Sequence, residues 1–170
     1  MIKKITILLI LLFCTASVFF LAGARVNYTV SFPIGLYWTQ EKTVETGDLV
    51  TFCPPNTDVF KSAREYGFIT YGFCANEYGE LMKRVVAQEG DKVTLNQNGV
   101  SVNGVSIQNT KPVAMQDFPH FKLHNYTLKK GEVLLISDHH PLSFDARYFG
   151  LVKATNIQDV VKPIWTKEEA

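Results

Sequence analysis

The feature that most constrains this chain is an uncharged apolar run near its amino terminus. Residues 5–23 read ITILLILLFCTASVFFLAG, nineteen residues without a charged side chain. As a helix that rises about 1.5 Å per residue, this run can cross a hydrocarbon core roughly 30 Å thick. Lys3 and Lys4 precede it, and the positive-inside rule then places the amino terminus in the cytoplasm. The sequence therefore predicts a membrane segment over residues 1–24 and an exported domain over residues 25–170.

A cleaved signal peptide is the alternative interpretation of the same run. Ala22, Gly23 and Ala24 resemble the small-residue end at which such peptides are cut. The apolar core of a signal peptide usually has about 7–15 residues, which is shorter than this run. The length therefore favours an uncleaved anchor, while cleavage would leave the domain free in the exported compartment.

The composition indicates one globular domain of ordinary size. The chain of 170 residues is 46% hydrophobic and 19% charged, values that exclude a disordered protein. Its 17 basic and 16 acidic side chains lack the basic excess typical of a nucleic-acid-binding protein. The sequence has no glycine-rich phosphate loop and no metal-ligand spacing, so neither a cofactor nor a metal is expected.

Most of the exported part has the pattern of short strands separated by turns. Strands are expected in GDLVTFC (47–53), LMKRVVAQ (81–88) and EVLLIS (132–137), in a hairpin that turns at Asn98 and Gly99, and on both sides of a break near Asn156. A short helix is predicted over residues 57–66 and a surface loop over residues 108–130. The sequence thus predicts a mainly β domain behind an N-terminal transmembrane helix.

Cys53 and Cys74 both lie in the exported part. An oxidising compartment favours their pairing, so a disulfide is predicted, with two buried free thiols as the alternative. In the chain-entropy model, closing a loop of this length stabilises a fold by about 3 kcal/mol. Cys14 lies inside the apolar run, where it is expected to act as a small hydrophobic side chain.

Ser31 lies a few residues beyond the apolar run, in NYTVSFPIGLYW (27–38). Pro33 restricts the backbone and directs Phe32 toward an extended conformation, while Gly35 permits close backbone approach. A rigid segment at the membrane surface suits a nucleophile that acts on a membrane-tethered peptide. An ordinary strand serine would show the same local pattern.

A histidine-based triad is one way to activate Ser31. Asp138 and His139 supply the other two residue types, but the sequence lacks the G-x-S-x-G turn that exposes such a serine. The adjacent His139 and His140 would face opposite sides of a strand, and a solvated loop is the expected setting for both.

Three segments carry a family resemblance, in the chain order NYTVSFPIGLYW (27–38), LMKRVVAQEGD (81–91) and SFDARYFGLV (143–152). Together they resemble the signal-peptidase family of serine–lysine proteases (peptidase S26), from the apolar run to the final strands. The spacing of Ser31, Pro33, Gly35 and Tyr37 is similar to that of the conjugative-transfer peptidases, the TraF branch. Housekeeping leader peptidases have one more residue between the serine and the proline. Ala146 departs from the family, which usually has serine at that position.

The resemblance implies a role for each motif residue. Ser31 matches the nucleophile and Lys83 the general base, which burial must keep neutral because a free lysine has a pKa of about 10.4. The Thr29 hydroxyl and the Ser31 backbone N–H match the oxyanion hole. Ser143 matches the serine that orients the lysine. The remaining matches are the motif-supporting Asp145 and Arg147, expected on an extended segment, and the substrate-binding Phe32, Pro33 and Gly35.

The same resemblance implies a membrane-anchored Ser/Lys endopeptidase without a cofactor or metal. Its expected substrate is an exported, membrane-associated precursor, in particular a conjugative pilin, cut at the periplasmic face of a Gram-negative inner membrane. Other conjugative transfer proteins are further expected partners. Some members of the branch join the new ends of the pilin into a circle, so hydrolysis and ligation both stay open. A general type I signal peptidase and a non-catalytic component of a conjugative secretion channel are the alternatives.

Overall fold

The computed structural model describes residues 2–115 and 118–167. Its first element is helix α1 (Ile2–Leu21), which packs none of its side chains into a core and has a mean hydropathy of 2.4. The helix is long and apolar enough to cross a membrane, and it could act as an anchor or as a signal sequence. The predicted apolar segment is therefore a single helix that leads directly into the following domain.

A seven-stranded antiparallel sheet forms the centre of the domain. Its strands, in spatial order, are β1 (Ala24–Asn27), β2 (Gly35–Gln40), β11 (Ile157–Thr166), β3 (Leu49–Phe52), β4 (Leu81–Ala87), β9 (Glu132–Ile136) and β10 (Val152–Lys153). Among the described strands, β11 alone pairs the β1–β2 hairpin with the rest of the sheet, because it lies between β2 and β3. The predicted strands around residues 47–53, 81–88 and 132–137 and on both sides of Asn156 are confirmed.

A second, four-stranded sheet contains β5 (Lys92–Asn96), β6 (Gly99–Val102), β7 (Val105–Ser106) and β8 (Leu123–Thr127), in the order β7-β6-β5-β8. The predicted β5–β6 hairpin is present, but Asn96 pairs with Gly99, so its turn lies one residue earlier than expected. The asparagine–glycine turn with two positive φ angles is Asn103 (52°) and Gly104 (83°), between β6 and β7.

Strand β8 corrects the prediction of a surface loop over residues 108–130. Its sequence, LHNYT, has no residue that is fully buried, so it lacks the apolar alternation that marks a strand. The strand forms because its backbone pairs with β5. Because β8 lies at a sheet edge and is held by its backbone, its side chains show no pattern from which a strand could be predicted.

Helix α2 (Asp58–Glu65) confirms the helix predicted over residues 57–66, and it buries Phe60 and Ala63. The predicted disulfide is also present: Cys53 and Cys74 are bonded, with their Cα atoms 5.4 Å apart. It ties the segment before β4 to the residue that follows β3.

An aromatic cluster holds the segment 143–149 against the domain core. Phe144 packs on Phe118 and on Phe60, with ring centroids 5.1 and 6.0 Å apart. Phe149 packs on Phe60 at 5.0 Å. The segment is not extended as expected, because residues Ala146–Phe149 form the short helix α3 and the preceding Asp145 caps it.

Candidate active site

The loop that joins β1 to β2, residues 28–34, carries Ser31 near its centre. The buried side chain of Asn27 organises this loop. Its Nδ2 donates to the backbone carbonyls of Thr29 and Phe32 at 2.9 and 2.8 Å. Its Oδ1 accepts the Thr29 backbone N–H at 3.2 Å. These bonds satisfy backbone groups that the loop cannot pair with a neighbouring strand, so the position of Ser31 is fixed.

Lys83 lies on β4, directly opposite Val50 of β3. Val50 and Val85, which share its face of the sheet, are fully buried, and Lys83 itself is only 3% exposed. Burial removes water from the ammonium group and lowers the pKa of Lys83 from 10.5 to about 8. The charge of Asp145 raises this pKa and that of Arg147 lowers it. Lys83 is therefore far closer to neutrality at physiological pH than a solvated lysine.

One cavity of about 330 Å³ is lined by both Ser31 and Lys83. Thr29 and Ser143 line it as well, so the fold brings four of the predicted site residues together from three separate parts of the chain. The Thr29 hydroxyl donates to Asn27 Oδ1 at 2.9 Å. It would have to exchange that bond to hold an oxyanion.

Two hydroxyl groups at this cavity are buried without a hydrogen-bond partner in the described chain. They are Ser143 Oγ and Thr51 Oγ1, and both residues line the cavity. A buried hydroxyl without a partner is costly, so such groups often mark places where water, a substrate or a mobile side chain supplies the partner. Ser143 was expected at this site, because it matches the serine that orients the lysine in the family. Thr51 was not predicted.

A buried ion pair connects helix α3 to the Ser31 loop. Arg147 Nε donates to Asp145 Oδ1 at 2.8 Å, and both side chains are fully buried. The other carboxylate oxygen, Oδ2, accepts the Ser137 backbone N–H at 2.9 Å. The Ser137 hydroxyl in turn donates to the backbone carbonyl of Ser31. The 143–147 segment therefore fixes the backbone of Ser31 through Ser137.

The predicted substrate-binding residues Phe32, Pro33 and Gly35 are not among the residues that line this cavity. Phe32 is buried, and both Phe32 and Pro33 line a second cavity of about 350 Å³. Gly35 lies where a Cβ atom would come within 2.1 Å of the Trp165 carbonyl oxygen. The close approach of β2 to β11 therefore requires glycine at this position.

Asp138 and His139 also line the second cavity and not the Ser31 cavity. Arg84 Nε donates to both carboxylate oxygens of Asp138, at 3.0 and 2.8 Å. The His139 ring stacks on Phe32, with centroids 6.3 Å apart. This arrangement disfavours the histidine-based triad, because Asp138, the acid of that triad, is paired with Arg84.

Asn27, Thr51 and Ser137 are the site residues that sequence reasoning missed. An asparagine whose side chain bonds the backbone two residues later is a known turn pattern, so Asn27 left a local signal. Thr51 and Ser137 left none, because a threonine within a strand and a serine after one are ordinary. Only the register of β3, β4 and β9 reveals their positions.

Replacing Lys83 by Met is expected to stabilise the domain by about 3 kcal/mol near neutral pH. The folded protein then no longer buries an ammonium group. In the wild type, the folded pKa of about 8 lies below the unfolded value of 10.5, so the folded state binds fewer protons between these values. The free energy of unfolding of the wild type therefore rises with pH across this window, and the gap to the variant closes.

Urea unfolding of the full chain in detergent, followed by tryptophan fluorescence at about pH 7 and about pH 10, measures this gap. Lys162→Met is the matched control, because Lys162 is an exposed strand lysine. If the free energies of unfolding of Lys83→Met and the wild type differed by the same amount at both pH values, the result would contradict the lowered pKa of Lys83.

Comparison with known proteins places the chain in a family. The family described as signal peptidase, peptidase S26, matches residues 1–166. The chain is 46% identical over 149 residues to a plasmid transfer protein TraF of Escherichia coli, covering 85% of this chain and 84% of that protein. It is 32% identical over 159 residues to a conjugal transfer protein TraF of Agrobacterium tumefaciens, covering 85% and 83%.

Among solved structures, a signal peptidase I of Enterococcus faecalis V583 resembles this chain with a TM-score of 0.45 and 20% identity. The likeness covers 72% of this chain and all of that one. The family match is far more extensive, since it includes every helix and strand from α1 to β11. The family match supports the assignment of this chain as a serine peptidase. The chain therefore belongs to the signal peptidase family, peptidase S26.

Proposed function

We propose that this protein is a membrane-anchored serine endopeptidase in which Ser31 is the nucleophile and Lys83 the general base. The observation that carries the proposal is a lysine with a lowered pKa, buried at the same cavity as the loop serine. A lysine can accept a proton only when it is neutral, and burial favours the neutral form. A serine hydroxyl becomes a competent nucleophile when such a base lies beside it.

The reaction begins when the Ser31 hydroxyl attacks the scissile carbonyl carbon and its proton moves to Lys83 Nζ. The Ser31 backbone N–H and the Thr29 hydroxyl hold the oxyanion that forms, and one such donor is typically worth about 3 kcal/mol of barrier. Collapse of the intermediate releases the leaving amine, which takes the proton from Lys83. Water then attacks the acyl carbonyl carbon and gives a proton to Lys83. Collapse of this second intermediate breaks the ester bond, releases the new carboxyl terminus, and returns the proton from Lys83 to the Ser31 oxygen.

Ser143 and the buried ion pair act through other residues in this scheme. The unpartnered Ser143 hydroxyl is available to accept or donate a hydrogen bond at the Lys83 amine, which would orient the lysine toward Ser31. Asp145 and Arg147 hold Ser137 in place, and Ser137 fixes the Ser31 carbonyl. These are positioning residues.

The proposed substrate is an exported, membrane-associated precursor in plasmid transfer, in particular a conjugative pilin. Helix α1 ends three residues before β1 begins, and β1 leads directly into the Ser31 loop, so only one four-residue strand separates that loop from the helix. The Escherichia coli and Agrobacterium relatives carry transfer names. We place the domain at the periplasmic face of a Gram-negative inner membrane, with α1 as an uncleaved anchor and residues 25–170 as the peptidase domain.

Incubation of the full chain with a pilin precursor encoded beside it, followed by intact-mass analysis, tests the proposal. Hydrolysis yields two fragments, whose masses sum to that of the precursor plus one water. Attack on the acyl-enzyme by the amino terminus of the retained fragment would instead yield a circle, lighter by one water than the linear product. Ser31→Ala is the control for contaminating peptidases.

Each alternative class of function predicts a different result. A general signal peptidase would also cut unrelated exported precursors at comparable rates. A non-catalytic channel component would leave the pilin precursor intact. Either outcome, obtained with protein that is folded and retains its disulfide, would contradict the proposed role.

A further inference from the structure

The segment between α2 and β4 forms a compact hairpin, residues 70–79, here called the disulfide hairpin. Three backbone hydrogen bonds close it: Gly79 N–H to Thr70 O at 2.7 Å, Gly72 N–H to Glu77 O at 3.0 Å and Cys74 N–H to Tyr78 O at 2.9 Å. Its Cys74 is bonded to Cys53 at the end of β3. The hairpin is therefore held both by its own backbone and by the central sheet.

The two sides of the disulfide hairpin are in close contact. A Cβ atom at Gly72 would lie only 2.5 Å from the Gly79 Cα atom. The tip turns through Asn76 and Glu77, whose φ angles of 61° and 58° are left-handed. A hairpin so tightly closed presents its outward side chains in a defined direction.

The outward side chains are large and aromatic. Phe73 is 95% exposed and Tyr71 is 77% exposed. The Phe73 ring nevertheless packs beside the Phe20 ring, at a centroid distance of 6.0 Å. Phe20 is the penultimate residue of α1, so Phe73 lies beside the end of the membrane-crossing helix.

Charged groups mark the level at which α1 meets water. Arg25 forms a salt bridge to Asp159 at 2.6 Å and lies 3.6 Å from a Glu80 oxygen. Its guanidinium also covers the Phe20 ring at 4.5 Å. Ion pairs belong on the aqueous side, while Phe20 belongs to the apolar helix, so Phe73 is at the boundary between the two.

We propose that Phe73 of the disulfide hairpin inserts into the bilayer interface beside α1 and holds the peptidase domain against the membrane. The inference rests on the proposed anchoring by α1. Aromatic side chains favour this boundary, and their burial there removes apolar surface from water. A bilayer explains the exposed phenylalanine better than a protein partner does, because the ring already touches the membrane helix.

This contact also sets the height of the catalytic cavity above the membrane. The base of the hairpin is continuous with the cavity wall, which includes Phe68 and Thr70. Tyr28 of the Ser31 loop hydrogen-bonds the Thr70 hydroxyl at 2.8 Å. Lipid contact at Phe73 would therefore keep the cavity next to peptide bonds that lie just outside the bilayer.

Depth-dependent fluorescence quenching in vesicles tests the lipid contact directly. A background with Trp38→Phe and Trp165→Phe carries either Phe73→Trp or the matched control Val105→Trp, whose site is 68% exposed in the other sheet. The full chain is reconstituted in phosphatidylcholine–phosphatidylglycerol vesicles with bromine on the upper acyl chain. The Phe73→Trp emission should shift to the blue and be largely quenched, while Val105→Trp should stay unquenched.

Two fluorescence results would overturn the inference. If the Phe73→Trp emission were as little quenched as the Val105→Trp emission, Phe73 would lie in water. A blue shift without bromine quenching would place a protein surface, such as a second copy of the chain, against Phe73. Failure of the full chain to float with the vesicles would remove the anchor on which the inference depends.

A functional measurement keeps the test independent of the tryptophan background. Phe73→Ser should slow processing of a membrane-embedded precursor severalfold and leave cleavage of a short soluble peptide unchanged. Equal rates for wild type and Phe73→Ser on the embedded precursor would count against a role for the contact. If the wild type cuts neither substrate, the proposed peptidase function fails, while the quenching result still decides the lipid contact.

Discussion

Ser31→Ala and Lys83→Ala should each lower processing of the exported precursor by about 10³-fold or more. The Ser31 hydroxyl can attack only if its proton is accepted, so loss of either residue removes the same step. Residues that act as a unit are strongly non-additive, and the double variant should therefore be no slower than either single one. Accumulation of uncut precursor in cells, with the protein level measured alongside, provides the readout.

Lys83→Arg should be as inactive as Lys83→Ala, because a guanidinium does not lose its proton in this pH range. Lys162→Arg, at an exposed strand lysine, is the matched control and should be fully active. His139→Ala should retain most activity, since His139 lines the second cavity. Full processing by Lys83→Arg, or loss of processing in His139→Ala, would contradict the Ser31–Lys83 mechanism and favour the histidine-based one.

The wild-type rate should also depend on pH as the titration of Lys83 requires. Lys83 must be neutral to accept the proton, so kcat/KM should rise with pH and level off above its pKa of about 8. A rate that is already constant well below that pH would exclude Lys83 as the base.

Arg147→Met should destabilise the domain by about 3–5 kcal/mol, because it leaves the Asp145 carboxylate buried without its partner. Both side chains have no exposed surface. The guanidinium also donates to backbone carbonyls, at Pro141 (2.7 Å), Ser143 (3.1 Å) and Lys111 (3.2 Å). It donates to the Asn109 carbonyl as well, at 3.4 Å, so the variant would also leave carbonyl groups of four loop residues without this donor.

The matched control for Arg147→Met is Lys61→Met, which breaks the solvated Lys61–Asp58 pair at 3.0 Å. An exposed pair of this kind is worth about 0–1 kcal/mol, so the control should remain close to the wild type. Urea unfolding of the full chain in detergent gives both values. Equal loss in the two variants would mean that the buried pair does not support the 143–147 segment as described.

The elements that could be predicted are those whose side chains report their own burial. Helix α1 contains a long apolar run, and β4 has apolar residues on both sides of Lys83 and Arg84, with the β-branched pair Val85 and Val86. Strand β8 was missed because its residues are exposed and only its backbone pairs. Helix α3 was missed because four residues are too short for a helical period to show.

The candidate site was predictable only where a motif carried it. Ser31, Lys83 and Ser143 are far apart in the chain, and no local pattern predicts that they line one cavity. The placement of Phe32 away from that cavity was likewise hidden, because it depends on the path of the loop that Asn27 holds. Long-range register decided both outcomes.

The position of β11 ties completion of the central sheet to the last strand of the described chain. The β1–β2 hairpin, which leads through the Ser31 loop, pairs with the sheet through residues 157–166. Strands β3 and β4, the second of which carries Lys83, lie on the other side of β11. Until β11 has folded between β2 and β3, no pairing among the described strands joins the Ser31 hairpin to the strand of Lys83. For the proposed peptidase, a newly made copy should therefore gain activity only when its last strand is in place, and it should be harmless to its neighbours while it folds.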